Sequence, residues 1–318
     1  MPAKPLYNAQ IGGPFYFNMQ GKFTKQCTLP FDLIPLLKGR GLVIANETQA
    51  ENYLWNIGYF RFSAYLQPLY KEPKANNIFK NNATFEQALN MYRFDRKLRM
   101  MIFNEIEKIE VAIRSALVNI ISNGFADIFW MTNPIYFYNV NVFNNCLEII
   151  NTEIGRTKEE FIIHFQNTYS DTYPPAWMIT EILPLGVLGS IYRNINNYSL
   201  RKKVAKHFGL STNIFESWIL NLAILRNLCC HHARVWNKDL VVRPILPQSV
   251  IHPWIDASKT DIKRVYIRIC MIKYLLFTVS PKSTFTNKVK TLIADYPTID
   301  IRAMGFKPDW ETEPLWAQ

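Results

Sequence analysis

The 24 residues from Asn213 to Trp236, NIFESWILNLAILRNLCCHHARVW, leave this chain less structural freedom than any other stretch. Asn213, followed three positions later by Glu216, is a helix-start signal in which two side chains cap exposed N–H groups reciprocally. Apolar or weakly polar residues then recur at Phe215, Trp218, Leu222, Leu225, Cys229, His232 and Trp236. These steps of three and four lay one seam along a helix that faces a core. At about 100° per residue, Arg226, Asn227, Cys230, His231 and Arg234 project from a separate arc roughly 140° wide. A fold that buries the seam therefore gathers a guanidinium, an amide, an imidazole and a thiol on one non-core side.

Solvated helix faces are normally built from Lys and Glu, which combine long side chains with good helix propensity. This arc instead carries Asn, Cys and His between Arg226 and Arg234. The phase of the seam also separates the two adjacent histidines. His232 falls at the edge of the apolar stripe and reads as structural; His231 falls on the polar arc and reads as the chemical residue, unless a bend near Cys229-Cys230 shifts the phase and makes His232 the catalytic imidazole. The string Cys229-Cys230-His231-His232 does not read as a metal site, because four consecutive helical residues point in four directions.

Composition narrows the classes further. With 49% hydrophobic residues in 318, the chain is globular and holds enough apolar surface for a sizeable core. Its start shows no n-region followed by an apolar h-region, and no apolar run approaches the ~20 residues that span a bilayer. A cytoplasmic protein without a membrane partner is the expectation. Five cysteines (Cys27, Cys146, Cys229, Cys230 and Cys270) are odd in number and lack paired C-x-x-C spacing, which argues against a disulfide framework or a zinc ribbon. Glycine-rich phosphate loops, G-x-S-x-G, H-E-x-x-H and EF-hand strings are missing from the text, so no cofactor or metal is expected. The net charge of +11, from 36 Lys and Arg against 25 Asp and Glu, favours a polyanionic partner, nucleic acid or a membrane surface.

Along the chain, Met1 to Thr28 reads as an arm with little helical periodicity. Helices are expected over Phe31 to Lys38 and from Asn46-Glu47 to Asn56, with Gly58 as a stop. The aromatic YFRFSAYLQPLY fits strand or helix by period, with core packing favoured over base stacking beside Arg61, and Lys71 to Ala83 reads as a loop. Phe85 to Ile121 is the longest periodic segment. Its polar face carries Arg93, Arg96, Lys97 and Arg99, then mixed charges, and suits either ion pairs or a track for a phosphate backbone. An irregular stretch to Asn145 precedes helices over Cys146 to Ile154, Lys158 to Asn167 and Trp177 to Arg193, the last kinked by Pro184 and Gly186. Leu200 to Phe208 adds Arg201, Lys202, Lys203 and Lys206 just before the central helix. A Pro-bearing connector to Pro253 leads to a helix capped by Asp256 or Ser258 and running to Val279, then to a helix over Ser283 to Ala294. An acidic tail with Trp310 and Trp316 follows, suited to docking on a basic surface of the same chain or its mate. The fold class is all-α.

The segment LRNLCCHHARVWN, Leu225 to Asn237, resembles the signature of the Abi-like proteins, the AbiD/AbiF group of bacterial phage-defence proteins. It contains the R-x-x-x-x-H pattern of HEPN ribonucleases as Arg226 to His231. LLKGRGLVI with YLWNIGYFRFSAY, YRFDRKLRMMIFNEIEKIEVAIRSAL, YPPAWMITEILPLGVLGSIY and IDIRAMGFKPDWETEPLW match the family's pattern in the same order, extending the resemblance from about Leu29 to Trp316.

The resemblance implies a HEPN-like helical bundle over 85–280, with an N-terminal arm (1–28), an N-terminal helical segment (29–84), and a C-terminal helix and tail (281–318) packed on it. It implies a metal-independent endoribonuclease toxin of phage defence. In that chemistry a 2′-OH attacks the adjacent phosphorus, His231 moves the proton, Arg226 stabilises the phosphorane, and Asn227 orients the imidazole or holds a phosphate oxygen. Arg234, Arg201, Lys202, Lys203, Lys206, Arg93, Arg96 and Lys97 are the candidate RNA contacts. Because one chain carries one motif, a homodimer with a composite site is expected, and a small non-coding RNA is a possible antitoxin. The competing readings are an inert helical RNA-binding protein and a purely protein-interacting defence component.

Overall fold

A computed structural model describes residues 27–317, so nearly all of the expected arm over 1–28 lies outside the described residues. In chain order the helices are α1 (Pro30–Gly39), α2 (Glu47–Ile57), α3 (Tyr59–Leu66), α4 (Phe85–Leu117), α5 (Asn123–Phe125), α6 (Val140–Arg156) and α7 (Glu160–Thr168). They continue as α8 (Ala176–Ile182), α9 (Leu185–Asn194), α10 (Tyr198–His207), α11 (Thr212–Cys230), α12 (Tyr266–Val279) and α13 (Phe285–Asp295). Among the described residues no strand forms, only isolated bridges such as Tyr70 with Phe79. The all-α class holds.

The long periodic segment becomes the axis of the molecule. Thr84 and Gln87 cap α4 reciprocally, and its 33 residues extend roughly 50 Å before a π-turn over Val118–Ser122 leads into α5. Leu98, Ile102, Ile106, Ile109, Ile113 and Leu117 are all buried, and α3, α11, α12 and α13 pack against them. Buried side chains from Leu33 to Trp316 form one connected core. YFRFSAYL resolves as a helix because α4 lies beneath it, burying Phe62, Tyr65 and Leu66. Pro184 splits the helix expected over Trp177 to Arg193 into α8 and α9, since the ring removes a backbone donor.

Two expectations near the C-terminus need correction. Asp256 does not open a long helix: its carboxylate accepts the Ser258 N–H at 3.0 Å, closing a short 3₁₀ turn, and α12 starts only at Tyr266. The tail docks on the same chain by both routes: its acids meet lysines, Glu311 with Lys290 at 3.0 Å and Glu313 with Lys307, while its tryptophans settle on aromatic rings instead of on that basic surface. Trp310 and Trp316 are buried among Tyr266, Phe285 and Phe306, and Trp316 Nε1 donates to the Tyr266 hydroxyl at 3.1 Å. α12 itself buries Tyr266 through Leu276, Arg268 included. That guanidinium donates to the carbonyls of Ile262, Arg264 and Val242 and to Asn221 Oδ1, tying the connector after α11 back onto it. Burial pushes the Arg268 pKa down to about 10.

Candidate functional site

α11 buries Phe215, Trp218, Leu222, Leu225 and Cys229, as its seam requires. Its start differs from the expected Asn213–Glu216 box: Ser211 is the N-cap without a side-chain bond, and Glu216 pairs with Arg201 at 2.8 Å. Its end differs more. The helix stops at Cys230, with His231 as the C-cap and His232 in the left-handed region at φ 55°. The His232 N–H donates to the Cys229 carbonyl at 3.1 Å and the Ala233 N–H to the Leu228 carbonyl at 2.9 Å, a hydrogen-bonded helix stop. The seam therefore ends at Cys229. His232 is exposed, not packed on the stripe, and Trp236 reaches the core only after this turn. His231 is also exposed.

The turn is tied down from two helices. From α3, Arg61 Nη1 donates to the His232 carbonyl at 2.5 Å, and Arg234 Nη1 donates back to the Ala64 carbonyl at 3.3 Å. From α4, the fully buried Asp95 accepts the Val235 N–H at 3.1 Å, the Trp236 N–H at 2.7 Å and the Tyr65 hydroxyl at 2.6 Å, and forms an ion pair with Arg99. Burial raises the Asp95 pKa, opposed first by Arg99 and then by the Tyr65 and backbone donors. With every neighbour donating, the carboxylate is the form this pocket accepts.

Arg226 is anchored separately, its side chain 32% exposed. Its Nε lies 3.5 Å from Glu110 Oε2, and its Nη1 donates to Asn227 Oδ1 at 3.4 Å. Glu110 also accepts Arg114 Nη2 at 2.6 Å, and Arg114 donates to the carbonyls of Thr180 and Leu183. A chain of charge-assisted contacts thus runs from the α8–α9 junction through α4 to the guanidinium. Asn227 touches Arg226 through its side chain and His231 only through the backbone, by the helical bond from His231 N–H. Between Arg226 and the C-cap lies about 7.5 Å of helix rise.

An open cavity of about 460 Å³ adjoins the turn, lined by Arg96, Arg99, Met100, Phe103, Cys229, Cys230 and His232. Burial pushes the Cys229 thiol up to about 12, so it faces this cavity as a neutral group. A second, polar cavity of about 410 Å³ beyond the turn carries Lys74, Arg234, Lys238 and Arg264 together with Asp239. Among the described residues no three His, Cys, Asp or Glu side chains are grouped to hold a metal ion.

The other expected RNA contacts are distributed widely. Lys202, Lys203 and Lys206 are exposed on α10, whose Arg201 meets Glu216 in the first turns of α11, whereas Arg226 and His231 stand toward that helix's other end. Arg201 is held by Glu216 and the Tyr198 ring, and Arg93 by Glu86 and the Tyr53 hydroxyl, both at 2.7 Å. Lys97 lies 3.6 Å from Asp295 and over the Tyr296 ring. Arg96 is exposed at the rim of the first cavity. Glu110, Asp95 and Arg61 were missed as site residues. Asp95 and Glu110 each stand four residues before an arginine, Arg99 and Arg114, a spacing equally common on solvated faces, and Arg61 carries no such mark.

The arrangement is that of an all-α protein displaying an anchored Arg and an exposed His at the end of a buried helix. The chain belongs to the Abi-like protein family, whose sequence model matches residues 52–237, from α2 through the His231–His232 turn. Membership points to abortive-infection phage defence. No curated protein and no solved structure matches the chain significantly. Among the described residues no helix is long and apolar enough by itself to cross a membrane.

Proposed function

We propose that the chain is an endoribonuclease of phage defence that cuts RNA through Arg226 and His231 without a metal ion. The observation that carries this reading is the pairing of a guanidinium anchored on buried Glu110 with an imidazole exposed at the C-cap of the same helix. His231 takes the proton from the 2′-OH as its oxygen attacks the adjacent phosphorus. Arg226, whose Nε edge lies within ion-pair range of Glu110 but makes no hydrogen bond, presents its terminal nitrogens to the equatorial oxygens, where negative charge builds. The P–O5′ bond then breaks, a second acid protonates the leaving oxygen, and the products are a 2′,3′-cyclic phosphate and a 5′-hydroxyl. One chain supplies one Arg226–His231 motif, so the acid is assigned to His231 of the partner subunit in a homodimer. RNA, as substrate or as a non-coding antitoxin, is held by Arg234 and by the exposed lysines of α10.

The test is to incubate wild type and His231→Ala with total RNA in EDTA and to identify the ends produced. Wild-type cuts ending in cyclic phosphate, absent from the variant, are the expected result. Intact RNA in both, with RNA binding retained, would replace this reading with that of an inert RNA-binding defence protein.

A further inference from the structure

Almost every charge on α4 is spoken for within the chain. Arg93 pairs with Glu86, Asp95 with Arg99, Lys97 with Asp295, Glu105 with Lys108 and Lys288, and Glu110 with Arg114 and Arg226. Two remain without an ion-pair or hydrogen-bond partner among the described residues: the exposed Arg96 and the exposed Glu107. They lie eleven residues apart, within about 20° of one face of the helix. On that face between them stand Met100, 61% exposed, and Phe103, 37% exposed. Arg96 precedes Met100 by four residues and Glu107 follows Phe103 by four, so the stripe reads cation, apolar, apolar, anion with equal spacing about its midpoint.

A stripe of this order is complementary to itself when turned end for end. We infer that α4 packs antiparallel against α4 of a second copy about a two-fold axis between residues 101 and 102, with Arg96 facing the partner's Glu107 and Met100 facing the partner's Phe103. A two-fold contact is isologous: each pairing occurs twice, and both leftover charges of each protomer are satisfied. The relief of the surface fits the same occupant. Met100 stands as a ridge between the cavity of about 460 Å³ on the α11 side and one of about 560 Å³ on the α13 side. Each protomer therefore offers a ridge and a groove to the other.

This proposal rests on the composite-site reading and gives it a location. Cys230 and His232 line the cavity beside Met100 and Phe103, so the turn bearing His231 sits level with the proposed axis. Two-fold packing there brings the two turns to either side of one cleft.

The measurement is sedimentation equilibrium of the full chain as wild type, Arg96→Glu, Glu107→Arg and the double swap. The wild type should be dimeric. Either reversal places like charges together twice and should weaken dimerisation on the order of 100-fold. The double swap should restore the dimer, which also shows that the single variants did not simply misfold. A monomeric wild type, single reversals that leave the dimer intact, or a double swap that fails to recover would each overturn the assignment. Oligomeric state is read here independently of cleavage, so a dimer that behaves as expected yet leaves RNA intact would preserve this interface and defeat only the nuclease reading.

Discussion

At its N-terminal end α11 follows α10, where Lys202, Lys203 and Lys206 stand exposed; at its C-terminal end the chain turns through His231 and His232 under ties from Arg61, Arg234 and Asp95. The first end is a charged surface and the second a fixed geometry. Attraction to a phosphate backbone falls off over a Debye length and tolerates misplacement of a few ångströms, whereas proton transfer does not. The buried polar investment follows that difference. A carboxylate sealed in the core holds the exit of the histidine turn, while the lysine cluster rests on an ordinary amphipathic helix. Adjacency in sequence between the lysines and the motif thus does not make them one site.

Asp95→Ala should break the contrast most severely, because it leaves Arg99 buried without its counter-charge and two amides without an acceptor. A loss of about 3–5 kcal/mol is expected from urea unfolding. The triple alanine variant of Lys202, Lys203 and Lys206 should leave stability within about 0.5 kcal/mol of wild type. In fluorescence anisotropy with single-stranded RNA, its log–log salt slope should fall by about 2. Arg61→Ala removes only a peripheral tie on the His232 carbonyl and should cost about 1 kcal/mol, with a larger proportional effect on cleavage than on RNA affinity.

The smallest effect concerns α4 on the side that meets α13. Burial raises the Glu105 pKa, but hydrogen bonds from Lys108 and Lys288 outweigh it and hold the carboxyl below its usual range. A carboxyl depressed in the folded state adds stability that is complete above its unfolded pKa and is lost as pH falls through the folded one. Thermal unfolding against pH should show this acid limb flattened in Glu105→Gln, modestly, since both lysines are partly exposed.

Periodicity made α4 legible to within a few residues and made the seam of α11 legible as far as Cys229. It failed at His232, because a helix stop set by backbone donors and by Arg61 from another helix leaves no mark on apolar spacing. Arg226 and His231 were readable as a local pattern, but the groups that place them come from residues more than a hundred positions away. Charge counting also leaves out the partners of Arg201 and Arg93, Glu216 and Glu86, which are met only once α10 and α11, or the first two turns of α4, are packed.

The proposed division of labour between the two ends of α11 is tested most directly by measuring, on one single-stranded RNA, both affinity and single-turnover cleavage at saturation for His231→Ala and for the Lys202, Lys203 and Lys206 triple variant. The account predicts a crossing: His231→Ala keeps affinity and loses cleavage by on the order of 10²–10⁴-fold, while the triple variant loses affinity and keeps its rate once saturated. If the histidine variant cuts RNA at the wild-type rate, or the lysine variant cannot cut even when fully bound, the two ends are not separate and the account is wrong.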